Sequence, residues 1–423
     1  MDLIAELQWR GMMSESTEGL RDALAAGPVT GYIGFDPTAD SLHVGSLLTM
    51  MGLARLQRSG HSPIAIVGGG TGMIGDPKPN QERPLLSRDD IDRNVAGIRP
   101  QLARLLDFDS KTNPARIVNN ADWLASFDLL GFLRDTGKYF TVNYLLQKEA
   151  VSRRLESEEG ISFTEFSYPL LQARDYLELF DRFNCTLQMG GSDQWGNITA
   201  GIELVRKLRN TKVHGLVWPL MTTAAGTKFG KTETGTVWLD PKRTSQFRFY
   251  QFWLNTDDRD AERYLKFFTF MDREEIEALA RATAEHPERR EAQRALARAV
   301  TSLVHGDDQV GRAERAAQVL FSENIADANV DDVLMVFEDA PSTELALPAD
   351  GMPLAEMLAT VKLVPSKSEA MRLIKSRGVY VNNVRAVDEK VRLSAADAIA
   401  GTLFVLRKGR KDHHIVKLVR RNP

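Results

Sequence analysis

The chain has 423 residues, more than one ordinary hydrophobic core accommodates, so two or three domains are expected. A hydrophobic fraction of 43% and a charged fraction of 26% are typical of a soluble globular protein, and no apolar run is long enough to span a membrane. The single cysteine, Cys185, excludes an intrachain disulfide and a cysteine-rich zinc site, and with no signal-peptide pattern it predicts a cytoplasmic protein without a membrane partner.

Charge is distributed unevenly along the chain. Residues 352–423 contain 15 Lys and Arg against 6 Asp and Glu, a balance of +9, whereas the rest contains 39 against 51, a balance of −12. The carboxy-terminal segment is therefore the candidate for binding a polyanion. Nucleic acid is favoured there over a merely solvated basic surface.

The first predicted elements lead to an anion site. Residues 1–30 are expected to form two amphipathic helices, and residues 29–35 a buried strand. An Asp36-Pro37 turn follows, and a leucine-rich helix is predicted to begin near Leu42. Free N–H groups and the helix dipole at this start favour phosphate. His43 in the first turn is suited to donate to a phosphate oxygen, with a simple capping role as the alternative.

A second predicted strand, 63–67, runs into a glycine-rich loop. The loop matches the G-x-G-x-x-G fingerprint of dinucleotide sites through Gly70, Gly72 and Gly75. We reject that interpretation, because prolines at 77, 79 and 84 prevent the helix that the fingerprint requires, and Asp90 belongs to a new helix start. The glycines instead predict close approach of the backbone to a ligand, with Thr71 and Asp76 presented on the loop.

The middle of the chain alternates between predicted helices and strands. A helix is expected over 91–106, a strand over 115–119, an aromatic-rich helical insertion over about 122–165, and a strand over 185–188. The stretch S-Y-P-L-L-Q-A-R-D-Y places Tyr168, Gln172 and Asp175 on one face of a helix, opposite a leucine and alanine face. That face presents a phenol, an amide and a carboxylate together. An ordinary solvated face is the alternative.

Two further loops carry polar groups. M-G-G-S-D-Q-W-G-N follows the strand at 185–188 and predicts a second loop that approaches a ligand closely beside the first, where a helix cap is the plainer interpretation. T-A-A-G-T-K-F-G-K-T is a glycine-hinged loop with two lysines, suited to fold over an anionic leaving group, where a simple hairpin tip is the alternative.

The last third of the chain changes character twice. Residues 240–322 have a helical pattern, and residues 323–350 are acidic with two prolines, which is typical of a linker. Ser366 and Glu369 then predict a capped helix that runs to Lys375 and stops at Gly378, followed by a strand and turn in V-Y-V-N-N-V.

These motifs together carry a family resemblance. Y-I-G-F-D-P-T-A-D-S-L-H-V-G-S resembles the HIGH-motif region of class I aminoacyl-tRNA synthetases, in the form typical of bacterial-type tyrosyl-tRNA synthetases, with Ser46 in place of the second histidine. K-F-G-K-T resembles the KMSKS loop of the same class, and the basic carboxy-terminal segment resembles the RNA-binding domain named after the fourth ribosomal small-subunit protein. The resemblance covers essentially the whole chain.

The resemblance implies an α/β architecture with three parts. A Rossmann-like, doubly wound parallel-sheet catalytic domain is expected over 1–240, with a dimer-interface insertion at about 122–165. A helical tRNA-contacting domain follows over 241–325, a linker over 326–351, and a small α+β RNA-binding domain over 352–423. A packing subdomain within a monomer is the alternative for the insertion.

The resemblance also implies roles for individual residues. Tyrosine would be bound by Tyr32, Asp76, Tyr168, Gln172, Asp175 and Gln194. ATP would be bound by Gly34, Asp36, His43, Gly45, Ser46, Gly191, Asp193, Lys231 and Thr232. Charge in the transition state would be stabilised by His43, Thr38, Lys228 and Lys231, and tRNA phosphates would be contacted by Arg372, Lys375 and Arg377. Either Lys78 or Arg83 would meet pyrophosphate.

The implied activity is ligation of L-tyrosine to its cognate tRNA by a homodimer, with ATP as a substrate, Mg²⁺ carried by ATP and no prosthetic group. Tyr32 and Asp175 would hold the phenol hydroxyl, and their own buried groups would be left unpaired by phenylalanine. Two rivals remain at this point. A small-molecule adenylyltransferase also uses a His-x-Gly helix start, and an inactive RNA-binding scaffold would retain the basic segment.

Overall fold

A computed structural model describes residues 2–76, 85–156, 160–227, 229–232, 235–409 and 412–419. The chain divides into two compact units, Met1–Thr244 with Phe252–Val304, and Ser245–Gln251 with His305–Pro423. Among the described residues, no helix combines the length and the apolar character needed to cross a membrane.

The first unit is built on a six-stranded sheet. Its strands are β1 (Glu15–Ser16), β2 (Thr30–Phe35), β3 (Ser62–Val67), β4 (Arg116–Asn119), β5 (Cys185–Gly191) and β6 (His214–Trp218). Their order in the sheet is β1-β6-β5-β2-β3-β4, and every pair is parallel except β1 with β6. Strand order therefore reverses between β2 and β5, which confirms the doubly wound parallel sheet that the sequence predicts.

Ten helices accompany this sheet in the described residues. They are α1 (Leu3–Trp9), α2 (Leu20–Ala26), α3 (Val44–Arg58), α4 (Arg88–Leu102), α5 (Ala121–Leu124), α6 (Leu129–Asp135), α7 (Val142–Leu146), α8 (Glu149–Leu155), α9 (Phe163–Phe183) and α10 (Trp195–Arg209). Side chains of Ser87 and Ser162 cap α4 and α9, because each accepts a backbone N–H three residues on. Asn184 and Asn210 end α9 and α10 in the left-handed conformation that asparagine tolerates.

The helix predicted over 91–106 differs from α4 at both ends. Its start lies at Arg88, where the Ser87 cap fixes it, and its α-helical part ends at Leu102. Beyond that point Arg104 and Leu105 donate to carbonyls three residues back, so the chain tightens into turns. In the described residues of the insertion at 122–165, four short helices, α5 to α8, precede α9.

The core of the first unit lies between the sheet and the paired helices α9 and α10. Tyr32, Ile64, Tyr176, Cys185 and Leu204 belong to one buried cluster there. The Cys185 thiol is completely buried, and burial raises its pKa to about 12. This cysteine is therefore a packing residue without thiolate character at neutral pH.

A hairpin and helices follow the sheet along the chain. They are β7 (Lys231–Thr232), β8 (Gly235–Thr236), α11 (Gln246–Leu254), α12 (Asp258–Phe268), α13 (Arg273–Glu285) and α14 (Glu291–His305). Two buried arginines hold the end of α12: Arg55 donates to the carbonyls of Lys266, Phe267 and Thr269, and Arg10 to those of Lys266, Thr269 and Met271. Cations near a helix carboxyl terminus satisfy its unpaired carbonyls.

The second unit contains the basic segment. Its elements are α15 (Asp307–Phe321), α16 (Val330–Val336), β9 (Ser342–Leu345), β10 (Met352–Pro353), α17 (Leu354–Thr360), α18 (Lys367–Lys375), β11 (Val379–Val381), β12 (Val384–Arg385), β13 (Arg392–Leu393), β14 (Leu403–Lys408) and β15 (Asp412–Leu418). Five strands form a sheet in the order β12-β11-β14-β15-β9.

Two local predictions in this unit are wrong. The segment 326–351, expected to be a linker, contains α16 and β9, and β9 pairs in parallel with β15. Composition suggested a linker because acidic residues and prolines surround a strand of only four residues. The stop of α18 is Arg377, at a φ of 59°, and Gly378 follows it and donates to the Leu373 carbonyl.

Candidate active site

A cavity of about 370 Å³ lies at the carboxyl ends of β2 and β5, where the strand order reverses. Thirteen of the residues that the sequence predicts for the site line this one cavity. They are Tyr32, Gly34, Asp36, His43, Gly45, Ser46, Asp76, Tyr168, Gln172, Asp175, Gly191, Asp193 and Gln194. The predicted grouping of the glycine-rich loops with the polar face of α9 is therefore present.

Some predicted residues do not line the cavity or lie outside the described residues. Thr38 is exposed in the loop after β2, where its N–H donates to the Asp36 carbonyl at 2.9 Å. Lys228, Lys78 and Arg83 lie outside the described residues. The side chains of Lys231 and Thr232 do so as well, although their backbone forms β7.

His43 caps α3, and the helix proper begins one residue later, at Val44. The imidazole Nδ1 accepts the backbone N–H of Ser46 at 3.3 Å. In a neutral ring the hydrogen therefore lies on Nε2, so Nε2 is the donor nitrogen. The capping role and the proposed donor role of this histidine are thus compatible, because they use different ring atoms.

Gly45 is needed for this arrangement. A Cβ at that position would lie 2.8 Å from Cε1 and 2.9 Å from Nδ1 of His43, closer than real side chains approach. Any larger residue would therefore push the imidazole out of its capping position. The contact with the His43 ring therefore explains the glycine of the His-x-Gly step on steric grounds, without a ligand.

The start of α3 is also tied to the chain after the lysine-bearing loop. Val44 N–H donates to the Val237 carbonyl at 3.0 Å, and Leu239 N–H donates to the Leu42 carbonyl at 2.9 Å. Gly230 lies so close to this start that a Cβ on it would be 2.8 Å from Cγ2 of Val44. The two sequence motifs, far apart along the chain, are thus adjacent at one end of the cavity.

One end of the cavity contains a buried hydroxyl and a buried carboxylate. Tyr32 is 1% exposed, and within the described part of the chain its hydroxyl has no hydrogen-bond partner. Asp175 is 2% exposed, and its two carboxylate oxygens accept from Asn120 Nδ2 at 2.9 Å and Trp123 Nε1 at 2.8 Å. Burial raises the pKa of Asp175 to about 7, against these two hydrogen bonds, which lower it.

A network of carboxylates and amides also lines the cavity. Tyr168 donates through its hydroxyl to the Asp36 carboxylate at 3.3 Å. Gln194 Nε2 donates to Asp76 at 3.1 Å, and Gln172 Nε2 donates to Gln194 Oε1 at 3.3 Å. Several hydrogen-bond acceptors therefore converge on one part of the cavity, as a cationic ligand group requires.

Sequence reasoning did not identify several residues of this site. Asn120 and Trp123 hold Asp175, and Asn197 donates into the amide network. Gln188 lines the cavity at 3% exposure, beside Tyr32 on the paired strand. For Asn120 and Trp123, the only available indication was that N-N-A-D-W follows a predicted strand, at the edge where the strand ends meet.

The predicted tRNA contacts lie in the second unit. Arg372, Lys375 and Arg377 are exposed in the last turn of α18 and just beyond it, opposite the buried Ala370 and Ile374. Arg372 donates to Glu369 at 2.7 Å, one turn earlier on the same helix.

The insertion at about 122–165 exposes large apolar side chains. They are Leu129, Leu130, Leu133, Val142, Leu146, Leu155 and Phe163, with exposures from 38% to 76%. Single exposed leucines are normal on a protein surface, but this number within one short segment is characteristic of an interaction surface.

Comparison with known proteins gives consistent results over nearly the whole chain. The family described as tRNA synthetases class I (W and Y) matches residues 24–322, and the Tyrosine–tRNA ligase SYY-like C-terminal domain matches residues 332–416. A protein named Tyrosine–tRNA ligase from Roseiflexus castenholzii is 54% identical over 421 residues, covering 99% of both chains. One of the same name from Geobacillus kaustophilus is 50% identical, covering 99% of this chain and 100% of its own.

A solved structure agrees with these sequence relatives. The C-terminally truncated mitochondrial tyrosyl-tRNA synthetase of Aspergillus nidulans superimposes with a TM-score of 0.68 at 33% identity. The alignment covers 76% of the present chain and 94% of the fungal one.

Proposed function

The chain belongs to the family of class I tRNA synthetases that includes the tryptophan and tyrosine enzymes, and we propose that its cavity at the strand-order reversal is where tyrosine is activated. The protein is a ligase that joins tyrosine to tRNA. ATP is a substrate of this reaction.

The observation that carries the assignment is the buried hydroxyl of Tyr32 beside the buried carboxylate of Asp175. A phenol hydroxyl bound here would donate to Asp175 and accept from Tyr32, which gives the Tyr32 hydroxyl the partner that the described protein atoms do not supply. Phenylalanine offers neither function: it would leave the Tyr32 hydroxyl buried without a partner, and Asp175 with only its hydrogen bonds from Asn120 and Trp123. Such a loss costs more than a missing apolar contact.

The amide and carboxylate network suits the other end of the amino acid. An α-ammonium group has three N–H donors and no acceptor. Asp76, Tyr168 and Gln172 supply acceptors, and Gln194 would orient the substrate carboxylate or carbonyl. Asp193 would accept from ribose hydroxyls of ATP beside the close-approach glycine at 191. Gly34, Asp36, Gly45 and Ser46 would line the rest of the nucleotide site.

In the first step a carboxylate oxygen of tyrosine attacks the α-phosphorus of ATP. A bond forms between this carboxylate oxygen and the α-phosphorus. The bond from the α-phosphorus to the bridging oxygen of pyrophosphate breaks, and pyrophosphate leaves with the electron pair. His43 Nε2–H, Thr38, Lys228 and Lys231, with the backbone of the Lys231–Thr232 segment, would stabilise charge on the phosphate oxygens. We expect Mg²⁺ to enter with ATP and to be held mainly by its phosphates, with Lys78 or Arg83 meeting pyrophosphate.

In the second step a terminal hydroxyl of the cognate tRNA attacks the activated carbonyl. The tyrosyl ester forms, the bond from the carbonyl carbon to the phosphate oxygen breaks, and AMP leaves with that oxygen and takes up the hydroxyl proton, so no nucleophile from the protein is required. Positioning of the two reactants supplies most of the catalysis in both steps.

We further propose that Arg372, Lys375 and Arg377 contact tRNA phosphates, within a basic RNA-binding part that covers residues 352–423. A helical part over 241–325 would support the same tRNA. Because β9 pairs with β15, deleting residues 352–423 would disrupt a sheet, so this assignment is better tested with point substitutions. Reversing the three charges to glutamate should leave amino acid activation unchanged and impair tRNA charging, whereas unchanged charging would contradict this assignment.

The apolar side chains of the insertion support a homodimer assembled through that segment. Exposed apolar surface of this kind is usually covered by another protein surface. We also assign the protein to the cytoplasm without a membrane partner, consistent with its one cysteine being a buried free thiol.

Tyrosine-dependent exchange of pyrophosphate into ATP tests the central proposal, with phenylalanine and tryptophan as alternatives. Exchange with tyrosine alone, together with charging of tRNA, is the expected outcome. Exchange without any tRNA charging would favour a small-molecule adenylyltransferase. A folded protein that binds tRNA but exchanges no amino acid would favour an RNA-binding scaffold.

A further inference from the structure

A side chain outside the cavity organises the acceptors of its amide network. Asn197, in the first turn of α10, directs Nδ2 at Gln172 Oε1 over 3.0 Å, and at Asp76 Oδ1 and Gln194 Oε1 over 3.4 Å each. Asn197 itself does not line the cavity. We propose that Asn197 is a positioning residue that sets the orientation of the ammonium-binding groups; this inference rests on the proposed tyrosine site.

The directions of the hydrogen bonds support this role. Gln194 Nε2 donates to Asp76 at 3.1 Å, so the oxygen of that amide is on the side of Gln172 and Asn197. Gln172 in turn uses its nitrogen as the donor to Gln194, which leaves its oxygen as the acceptor for Asn197. An amide can present either its oxygen or its nitrogen to a ligand, and here the donor on Asn197 selects the oxygen of Gln172.

This selection matters for a positively charged ligand. An ammonium group needs acceptors, and a Gln172 amide turned by 180° would point its own NH₂ at the cation. Asn197 offers two hydrogens to three acceptors, so it draws the Asp76 carboxylate and two amide oxygens toward one point. The arrangement is ready for a cation before the cation arrives, which reduces the cost of ordering the site on binding.

The backbone beneath Asn197 is fixed by the insertion. Lys148 Nζ donates to the Gly196 carbonyl at 2.8 Å and to Thr199 Oγ1 at 3.1 Å, on either side of Asn197 in the chain. Burial lowers the pKa of Lys148 to about 8. The first turn of α10 is therefore held from outside the cavity, and with it the backbone from which the Asn197 side chain extends.

Two matched ligands separate a positioning role from a general structural one. Tyramine and 4-ethylphenol share the phenol and the two-carbon chain, but only tyramine has an ammonium group. Calorimetric binding of both ligands would be measured for the wild type, for Asn197→Ala and for the control Asn210→Gly. Asn210 ends the same helix at a φ of 51°, which glycine adopts readily.

We expect Asn197→Ala to weaken tyramine binding about tenfold, because a loss of this size corresponds to one hydrogen bond to a charged partner. The binding of 4-ethylphenol should change by no more than about twofold. The control should leave both unchanged. Equal weakening of both ligands, or no weakening of either, would overturn the positioning role. If Asn197→Ala does not fold, Asn197→Ser gives the same comparison, since its side chain is too short to reach three acceptors.

Pyrophosphate exchange measured on the same proteins distinguishes the inference from the proposal beneath it. A wild type that exchanges with tyrosine while Asn197→Ala keeps its tyramine affinity would refute only the inference. A wild type without any tyrosine-dependent exchange would refute the proposed function and the inference together.

Discussion

The indole N–H of Trp123 donates to a carboxylate oxygen of Asp175 over 2.8 Å, and both side chains are at most 2% exposed. Trp123 lies on α5, at the start of the insertion, and Asp175 on α9. A buried carboxylate is costly unless hydrogen bonds stabilise its charge. The insertion therefore helps to keep Asp175 in place as an acceptor at the hydroxyl end of the cavity.

The pKa of Asp175 predicts a pH-dependent stability. Burial raises this pKa from 3.8 to about 7, so between these values the native state holds a proton that the unfolded chain releases. The free energy of unfolding should therefore fall as pH rises through that window and level off above it. Asp175→Asn lacks this titration. From pH 5 to pH 8 the wild type should lose roughly 2–3 kcal/mol relative to the variant in urea unfolding; a constant difference would show that Asp175 is ionised throughout.

Tyr32→Phe should separate stability from specificity. The substitution removes a buried hydroxyl without a partner among the described atoms, so the free energy of unfolding should not decrease and should rise by up to about 1 kcal/mol. Tyrosine should bind about tenfold more weakly and phenylalanine equally well, since one hydrogen bond is lost only with tyrosine. Tyr176→Phe is the matched control, because the Tyr176 hydroxyl donates to the His214 carbonyl at 2.7 Å. That variant should lose stability and keep its specificity; the reverse pattern would contradict the assignment of Tyr32.

Gly45→Ala should impair activation of tyrosine more than binding. The added methyl group would collide with the His43 ring, displace it from the cap and cost about 1 kcal/mol of stability. The rate of pyrophosphate exchange should fall at least tenfold while KM for tyrosine stays within about twofold. Gly311→Ala, on α15, where the added Cβ would make only an ordinary contact of 3.6 Å with Nη1 of Arg315, should be neutral or slightly stabilising. Normal exchange by Gly45→Ala would mean that the position of His43 does not matter for the reaction.

Leu130→Glu should dissociate the proposed dimer. Leu130 is 76% exposed within the apolar segment of the insertion, and a carboxylate buried between subunits would lack a partner. Sedimentation velocity should show a monomer for this variant and a dimer for the wild type. Val387→Glu, at a residue of 65% exposure in the second unit, is the control and should remain dimeric. A dimeric Leu130→Glu would place the interface elsewhere.

The sequence was sufficient to predict the parallel sheet and most of the cavity. Both depend on local patterns: Tyr168, Gln172 and Asp175 share a helix face because of their spacing, and Tyr32 lies near the end of a strand recognisable from its composition. The glycine loops follow strand ends, and strand ends of a parallel sheet share one edge. Local spacing grouped the three helix residues and one rule of topology placed the glycine loops at a shared edge, whereas the family resemblance was needed to combine them with Tyr32 into one site.

The sequence could not predict features that depend on distant contacts. Asn120, Trp123 and Asn197 act on residues that lie far from them in the chain, and no local pattern distinguishes them from ordinary polar or aromatic residues. β1 has only two residues and exists because Glu15 and Ser16 pair with β6. β9 was missed for the same reason, since the acidic surroundings of a four-residue strand resemble a linker.

The pairing of β9 with β15 has a consequence for synthesis of the protein on the ribosome. The backbone groups of Ser342–Leu345 can form their sheet hydrogen bonds only after Ile415–Leu418 has been synthesised. A nascent chain that terminates before β15 would leave β14 as an exposed sheet edge, which invites aggregation. Premature termination in this region would therefore remove the strand that covers this edge, so the last strand of the chain protects the sheet that precedes it.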